Sequence, residues 1–480
     1  MKYGFKRLLP GLLILSGLQV GSALAAGFGD PFNTDALAPP RPALYGPAAQ
    51  GAAPCATPQS AAPLALLEVV DLALCNNPQT REVWANARAQ AAQVGVAEAA
   101  YLPGLSGSVS ASRNWTDTAG RSSPYDQNSA GLTLSYLLFD FGARDATLEN
   151  ARQLLAAAAA TQDSTVQAVF LAAVQAFYQA QASVTALVAA QESERASKES
   201  FNAAEARYKV GASTPADKLQ AQTAWSQATL NRITAEGALK NAQGALANVI
   251  GQDAHRPLRL APAAEVTPGE AFERDVNALV DEARRLRPDL LAAEAQVRAA
   301  AANLDAVRAA GRPSIALTAA SNRLDVESSP VTHASSLGVT LSIPFFSGFA
   351  PTYRVRAAEA QVDARGAQRD LLRLQVALDV WNAYQNLHTS TQALRTSADL
   401  LNSASQSGQV ALGRYKAGVG SILDVLNAQS ALASARQQRV QAALNWNVSR
   451  ATLAQSMGSL DYSLLQTLPG VASTEGLTKP

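Results

Sequence analysis

The feature that most constrains the fold is an internal repeat that spans most of the chain. The run Tyr208-Lys209-Val210-Gly211 recurs as Tyr415-Lys416-Ala417-Gly418, at an offset of 415 − 208 = 207 residues. A repeat of this length far exceeds the roughly 20–50 residues of a solenoid unit. The sequence therefore predicts a protomer built from two copies of one long structural unit.

Other residues match at the same or a nearby offset. Asp217 matches Asp424 and Gly251 matches Gly458 at 207 residues, and Pro78 matches Pro288 at 288 − 78 = 210 residues. The predicted order along the chain is a signal peptide (1–25), a Pro/Ala-rich extended segment (26–64), repeat 1 (65–251), a linker segment (252–285), repeat 2 (286–458) and a C-terminal tail (459–480).

The N-terminus has the pattern of an export signal. Basic residues precede an apolar run from Leu8 to Val20, and Ala23-Leu24-Ala25 has the A-x-A form of a cleavage site. The run is shorter than the roughly 20 apolar residues that a membrane anchor requires. An oxidising compartment favours a disulfide between Cys55 and Cys75, the two cysteines of the chain, and two free buried thiols are the alternative. The net charge of +1 gives no indication of nucleic-acid binding.

Helical signals recur in both copies. Asn77 and Pro78 have the residue types of an N-cap and a first helical position, and Pro103 ends the helix that they predict. A much longer helix is predicted from Ala143 to about Tyr208, followed by a returning helix, so that each copy carries an antiparallel helical hairpin. The apolar positions of its coiled-coil seam are spaced alternately by four and three residues. They are Val166, Phe170, Ala173, Phe177, Ala180, Val184 and Leu187, with Val380, Tyr384, Leu387 and Leu394 in the second copy.

Between the proline-terminated helix and the long helix of each copy, the apolar period changes to two. This alternation predicts four strands of about ten residues in two hairpins, at 104–139 and 313–345, with polar loops at Asp117–Asn128 and Asp325–Ala334. Val339 and Leu341 would face lipid, whereas Thr340 and Ser342 would face water. The pattern is typical of a transmembrane β-barrel with a wet lumen. Aromatic residues at the strand ends would form its girdle: Tyr136, Phe139, Phe141, Phe345, Phe346 and Phe349.

A soluble β-sandwich shows the same alternation, but four strands cannot bury themselves beside helices of this length. Four strands also leave two open edges, whose backbone groups cannot remain unpaired in lipid. Since the smallest ordinary barrel has about eight strands, at least two protomers must share one barrel. The fold class is therefore mainly α with a transmembrane β-barrel portion, in an obligate oligomer.

Catalytic and metal-binding patterns are not found in the sequence. The three histidines, His255, His333 and His388, are scattered, and no phosphate-binding loop or nucleophile motif occurs. The sequence predicts a protein that is not an enzyme and that uses no cofactor.

The combination of signal peptide, duplicated halves, the Leu138-Phe139-Asp140-Phe141-Gly142 strand end and the two Tyr-Lys-x-Gly turns resembles the TolC family of outer membrane factors. The resemblance covers about residues 65–460. It implies a homotrimer with one shared twelve-strand barrel, a periplasmic α-helical tunnel, and a mixed equatorial domain formed partly by 252–285 and the tail. The implied partners are outer membrane lipid, a periplasmic adaptor, and an inner-membrane ABC transporter or proton-driven pump.

The resemblance also implies a gate at the periplasmic end of the tunnel. By motif position, Tyr415 matches the family's latch tyrosine, Asp217 the group that it engages, and Asp424 an aspartate of the constriction ring. Two positions depart from the family pattern: the latch arginine falls at Gly420 and the second ring aspartate at Asn427. A solvated helix-capping role is the alternative for both aspartates.

The stretch Leu74 to Arg81, with Trp84, resembles the branch of the family that serves type I secretion. This branch implies a passive exit duct for a secreted protein, such as an RTX toxin of the adenylate cyclase–haemolysin type. The outer membrane component of a multidrug efflux pump is one alternative. A periplasmic coiled-coil structural protein is another, although it would not account for the strands.

Overall fold

The computed structural model describes residues 29–40, 63–118, 121–255, 258–261 and 275–460. The predicted signal peptide, Cys55 and most of the C-terminal tail lie outside these residues. Cys75 is buried and disulfide-bonded, but its predicted pairing with Cys55 stays a prediction because Cys55 is not described.

The described residues form helices and strands that occur twice in the same order. In the first copy they are α1 (Leu66–Asn76), α2 (Pro78–Ala99), β1 (Gly104–Thr118), β2 (Arg121–Phe139), α3 (Ala143–Lys209) and α4 (Pro215–Val249). In the second they are α5 (Val276–Leu286), α6 (Pro288–Ala309), β3 (Ser314–Val326), β4 (Thr332–Ser342), α7 (Ala350–Lys416) and α8 (Ile422–Ser456).

Corresponding helices in the two copies have equal lengths. Both long helices, α3 and α7, contain 67 residues, and both returning helices, α4 and α8, contain 35. The shorter pairs also match, at 22 residues for α2 and α6 and 11 residues for α1 and α5. The two-fold repeat and the helical hairpins predicted from the sequence are confirmed. The sequence analysis missed α1 and α5.

Local sequence explains the helix boundaries. The Asn77 side chain accepts a hydrogen bond from the backbone N–H of Gln79 at 2.9 Å, so it caps α2 as predicted. Gly142 and Gly348 have φ values of 90° and 66°, and a non-glycine neighbour of each, Phe141 or Phe349, also has a positive φ. Both strand-to-helix connections therefore use two consecutive left-handed residues, which come directly before the first residue of the long helix.

By its contacts the chain divides into two compact units. The first contains the four strands with residues 86–156 and 295–365, and the second contains residues 157–294 and those from 366 onward, together with 63–85. Among the described residues, no helix combines the length and the apolar character that a membrane-spanning helix requires.

The sheet of the first unit is antiparallel, in the order β1-β2-β3-β4. The two hairpins are joined by pairing of β2 with β3, and β1 and β4 form the edges. The predicted loop Asp117–Asn128 is wrong, because β1 and β2 continue to pair as far as Thr118 and Arg121. The residues of this region are too polar to show apolar alternation, which explains the error.

The register places side chains of one kind on each face of the sheet. Residues directly opposite in an antiparallel pair share a face, and Leu341 lies opposite Ile315, Val339 opposite Leu317, and Leu105 opposite Leu134. The other face carries small and polar residues such as Ser106, Thr133, Thr318 and Thr340. The alternation predicted from sequence is thus continuous across all four strands.

The second unit contains the main hydrophobic core. One cluster joins α1 to the middle of α3 and to α4 and α8, and a second joins α5 to α7 and α8. The predicted seam is buried from Val166 to Ala180, but Val184 is 39% exposed and Ser183 takes the buried position. A straight helix has 3.6 residues per turn, so positions spaced at 3.5 residues move gradually around its surface. Past Ala180 the buried position is therefore occupied by Ser183 instead of Val184.

Candidate functional site: the paired helical turns

The candidate gate residues lie at the turns between α3 and α4 and between α7 and α8. The two turns have the same hydrogen bonds at the repeat offset. Ala212 N–H donates to the Arg207 carbonyl at 2.8 Å, and Val419 N–H donates to the Arg414 carbonyl at 3.0 Å. Gly211 and Gly418 provide the left-handed residue, with φ values of 72° and 80°, that this helix ending requires.

Both predicted gate aspartates take part in helix capping. Thr214 N–H donates to the Asp217 carboxylate at 3.0 Å, and Asp217 N–H donates back to the Thr214 hydroxyl at 3.3 Å. Ser421 and Asp424 form the same reciprocal pair, at 3.3 and 3.1 Å. This is the capping box of an S/T-x-x-D sequence. The helix-capping role, which was the alternative for these aspartates, is therefore present. It positions each carboxylate at the start of a returning helix.

Asp424 and Asn427 remain accessible for a second role. Both side chains are exposed, and a separation of three residues places them on the same face of α8. Asp217 is half-buried beneath its turn. The Asp424 carboxylate thus presents a negative charge to solvent while one of its oxygens caps the helix.

Tyr415 is buried, with 4% of its surface exposed, and it packs against Ala204, Ala221, Ile422 and Val425. Its hydroxyl has no hydrogen-bond partner among the described residues. The predicted link to Asp217 is therefore not a hydrogen bond in this structure. Burial raises the pKa of the Tyr415 phenol, and the nearby Asp217 carboxylate raises it further, whereas the Arg207 guanidinium lowers it.

Arg207 connects the two turns, and the sequence analysis missed it. Its guanidinium lies over the Tyr415 ring, 4.9 Å from the ring centre. Its Nη1 donates to the Tyr415 carbonyl at 2.9 Å. A signal was present in the sequence, because the arginine before the turn motif also repeats, as Arg207 and Arg414.

Gly420, the position at which the resemblance to the family places a latch arginine, is closely packed against the preceding turn. A Cβ at Gly420 would lie 3.1 Å from the Tyr415 nitrogen and 3.1 Å from the Arg414 Cβ. Those contacts are tighter than a side chain ordinarily makes, so an arginine there would require the turn to shift. A guanidinium contacts Tyr415 from the other copy, that of Arg207.

A cleft of about 680 Å³ separates the first-copy hairpin from α8 beyond the turns. Polar contacts cross between α3 and α8 near it. Gln429 donates to the Ser200 hydroxyl at 2.8 Å, and Arg436 pairs with Glu192 at 3.0 Å. Beside this cleft, α3 and α8 are therefore joined by separated polar links, whereas apolar packing joins the two hairpins at the turns and in the main core. Among the described residues, no cluster of metal-ligating side chains occurs.

Comparison with known proteins agrees with this architecture. The family model described as outer membrane efflux protein matches residues 69–252 and 279–459, one segment in each copy. Protein CyaE of Bordetella pertussis is 34% identical over 465 residues, which covers 96% of this chain and 98% of that protein. Outer membrane protein TolC of Escherichia coli is 24% identical, with 86% of each chain covered.

Solved structures show the same fold. The outer-membrane channel OprN superposes with a TM-score of 0.74 at 22% identity, covering 82% of this chain and 90% of that one. The predicted fold class and the predicted family are therefore confirmed. On the family match to both copies and the similarity along the whole chain, this protein belongs to the outer membrane efflux protein family, the family of the TolC channels.

Proposed function

We propose that the chain is the passive exit duct of a tripartite export system and that its cargo is a protein secreted by the type I route. The observation that carries the duct is the sheet. One face is apolar and the other is small and polar, and both edges lie open. Such a sheet is suited to lipid on one side and water on the other, and its edges require further strands.

The open edges support a homotrimer with a twelve-strand barrel. A periplasmic scaffold of coiled coils would need no such sheet, so the strands disfavour that alternative. The energy for transport would come from an inner-membrane transporter, coupled through a periplasmic adaptor. Detergent-extracted protein should have the mass of three protomers, and a stable folded monomer would contradict the shared barrel.

The extent of similarity favours secretion over drug efflux. The match with CyaE extends along 98% of that protein, whereas the match with the outer membrane efflux protein BepC of Brucella suis extends along 79%. Deletion of the gene should remove one or a few large proteins from the culture supernatant, and the intact gene should restore them. An unchanged set of secreted proteins together with greater sensitivity to toxic compounds would support the efflux alternative.

We further propose that the two turns form the gate and that Arg207 holds the second-copy turn against the first. Replacing Arg207 with alanine removes the contact over the Tyr415 ring and the bond to its carbonyl. We expect Arg207→Ala to raise single-channel conductance in planar bilayers. Tyr415→Phe should have a smaller effect, because the hydroxyl that it removes makes no hydrogen bond. Equal conductance in Arg207→Ala and the unmodified protein would contradict this role.

Asp424 should act through its charge. Asp424→Ala removes one like charge from each protomer of a symmetric ring, so cation preference should fall while conductance changes little. Because the side chain is exposed, screening over about 8–10 Å at ordinary ionic strength should make the preference dependent on salt. Asp424→Asn is the control that keeps the shape of the side chain and should reproduce the loss of selectivity. Unchanged ion selectivity in both variants would place Asp424 away from the conducting path.

A further inference from the structure

The repeat predicts how the two edge strands of the sheet, β1 and β4, pair between protomers. β1 and β4 each pair on one side only within the protomer. Their outer backbone N–H and C=O groups must find partners if the sheet lies in lipid. In a ring of identical chains, β4 of one protomer meets β1 of the next. This junction would join a strand of repeat 2 to a strand of repeat 1, and the pairing of β2 with β3 does the same within the chain.

The registers of the two hairpins give the correspondence between copies. Gly104 lies opposite Ser135, and Ser314 lies opposite Ser342. Gly104 therefore corresponds to Ser314, at 314 − 104 = 210, and Ser135 to Ser342, at 342 − 135 = 207. These offsets equal those of the flanking helices, since α6 begins 288 − 78 = 210 residues after α2, and α7 begins 350 − 143 = 207 residues after α3.

The internal junction can then be transferred to the edges. Within the chain, Ser135 lies opposite Thr318. Adding 207 to the first number gives Ser342 on β4, and subtracting 210 from the second gives Ser108 on β1. The same operation on Leu134 and Ala319, which also lie opposite each other, gives Leu341 and Val109.

We infer that β4 of one protomer pairs with β1 of its neighbour in one defined antiparallel register, which runs from Ser342 opposite Ser108 to Thr332 opposite Thr118. This inference rests on the proposed shared barrel and adds the geometry of its subunit interface. The occupant of each free edge is thus a second copy of this chain.

Two properties of the strands, neither of which was used to obtain the register, agree with it. In this register every residue of β4, Thr332–Ser342, lies opposite a residue of β1, which spans Gly104–Thr118. The faces also match. Leu341 meets Val109 on the apolar face, and Thr340 meets Ser110 on the polar face. A slip of one residue would bring apolar side chains opposite polar ones along the whole interface.

A slip of two residues keeps the faces matched, so the test must distinguish it. Directly opposite residues have Cα atoms about 4.5–5.5 Å apart, within disulfide range, whereas the diagonal neighbours two residues along are about 7–8 Å apart. We would combine Thr340→Cys with Ser110→Cys as the aligned pair. Thr340→Cys with Ser108→Cys and with Ser112→Cys are the displaced controls. All these positions are on the polar face, and a link within one chain is excluded because β1 and β4 lie at opposite edges of the sheet.

After mild oxidation, the aligned pair should give covalent dimers and trimers on a non-reducing denaturing gel, at several times the yield of either control. Leu341→Cys with Val109→Cys is a second aligned pair, which covers the other class of hydrogen-bonding position. The unmodified protein under the same oxidant accounts for the native cysteines. A higher yield from a displaced pair would overturn the register, as would failure of every pair to link.

The mass of the same preparations separates this inference from the function on which it depends. A trimer that links in a displaced register retains the shared barrel and rejects only the pairing proposed here. Protein that remains monomeric before oxidation rejects the shared barrel and the register together.

Discussion

Arg287→Ala should lower the free energy of unfolding by up to about 3–5 kcal/mol, because it removes a largely buried cation from two carboxylates that are 27% and 33% exposed. Arg287 is 8% exposed. Its Nη1 donates to Asp379 at 2.8 Å and its Nε donates to Asp289 at 3.0 Å. Despite the desolvation that lowers it, the pKa of Arg287 is raised overall by the hydrogen bonds and charges of the two aspartates. The two aspartates therefore stabilise the charged form of the guanidinium.

The packing around Arg287 also predicts a large loss of stability when its side chain is removed. It is the C-cap of α5, immediately before α6, and its backbone closely approaches Gly458, where a Cβ would lie 2.9 Å from the Arg287 Cα. Arg287 therefore lies where α5, α6, α7 and the end of α8 meet. Loss of its side chain opens a cavity there in addition to removing the ion pairs.

Arg308→Ala is a matched control for this change. Arg308 also faces two carboxylates, Glu359 at 2.9 Å and Asp305 at 3.5 Å, but nearly half of its side chain is exposed. Exposed pairs contribute about 0–1 kcal/mol. Chemical unfolding of both variants, followed by circular dichroism of the helices, should show a large shift for Arg287→Ala and a small one for Arg308→Ala. Similar shifts would show that burial does not determine the cost.

The second large effect is expected on the apolar face of the sheet. Leu341 lies opposite Ile315 and is 57% exposed in the isolated protomer. If this face contacts lipid, Leu341→Arg should cost about 2–4 kcal/mol near the bilayer midplane. Val339→Arg should behave in the same way, since the side chain points to the same face of the strand.

Thr340→Arg and Ser342→Arg provide the comparison, because they place the same charge on the same strand but on the other face. They should be tolerated, since that face would contact water. The fraction of protein that folds into detergent-resistant trimers in lipid vesicles, measured across a urea series, would report the difference. An equal response from the two faces would contradict the assignment of lipid to the apolar one.

The sequence predicted the elements whose signals are local. The N-cap Asn77, the glycines that begin the long helices and the repeated turn motif each determine backbone geometry within a few residues. The outer parts of β1 and β2 could not be recognised, because polar residues on both faces remove the period-two pattern on which strand prediction depends. In the structure, backbone hydrogen bonds between β1 and β2 extend both strands beyond the part that shows apolar alternation.

The candidate gate shows a different limit. The positions of Asp217, Asp424 and Tyr415 followed from their motifs, but the partner of Tyr415 did not. Helix capping by Asp217 was open to the sequence as an alternative, because Thr214 and Asp217 are three residues apart. The sequence could not show that Arg207 would reach Tyr415. The Arg207 contact depends on how two helical hairpins from distant parts of the chain pack together, and a motif contains no information about that packing.

Equal helix lengths in the two copies restrict how this chain can gain or lose residues in evolution. Loss of seven residues from α3 alone would move its turn by about 10 Å along the helix axis. That displacement would separate Arg207 from Tyr415, although neither residue had changed. Relatives of different length should therefore carry matched insertions or deletions in both halves of each hairpin and in both copies, and unmatched changes should be confined to the hairpin tips, the linker and the termini.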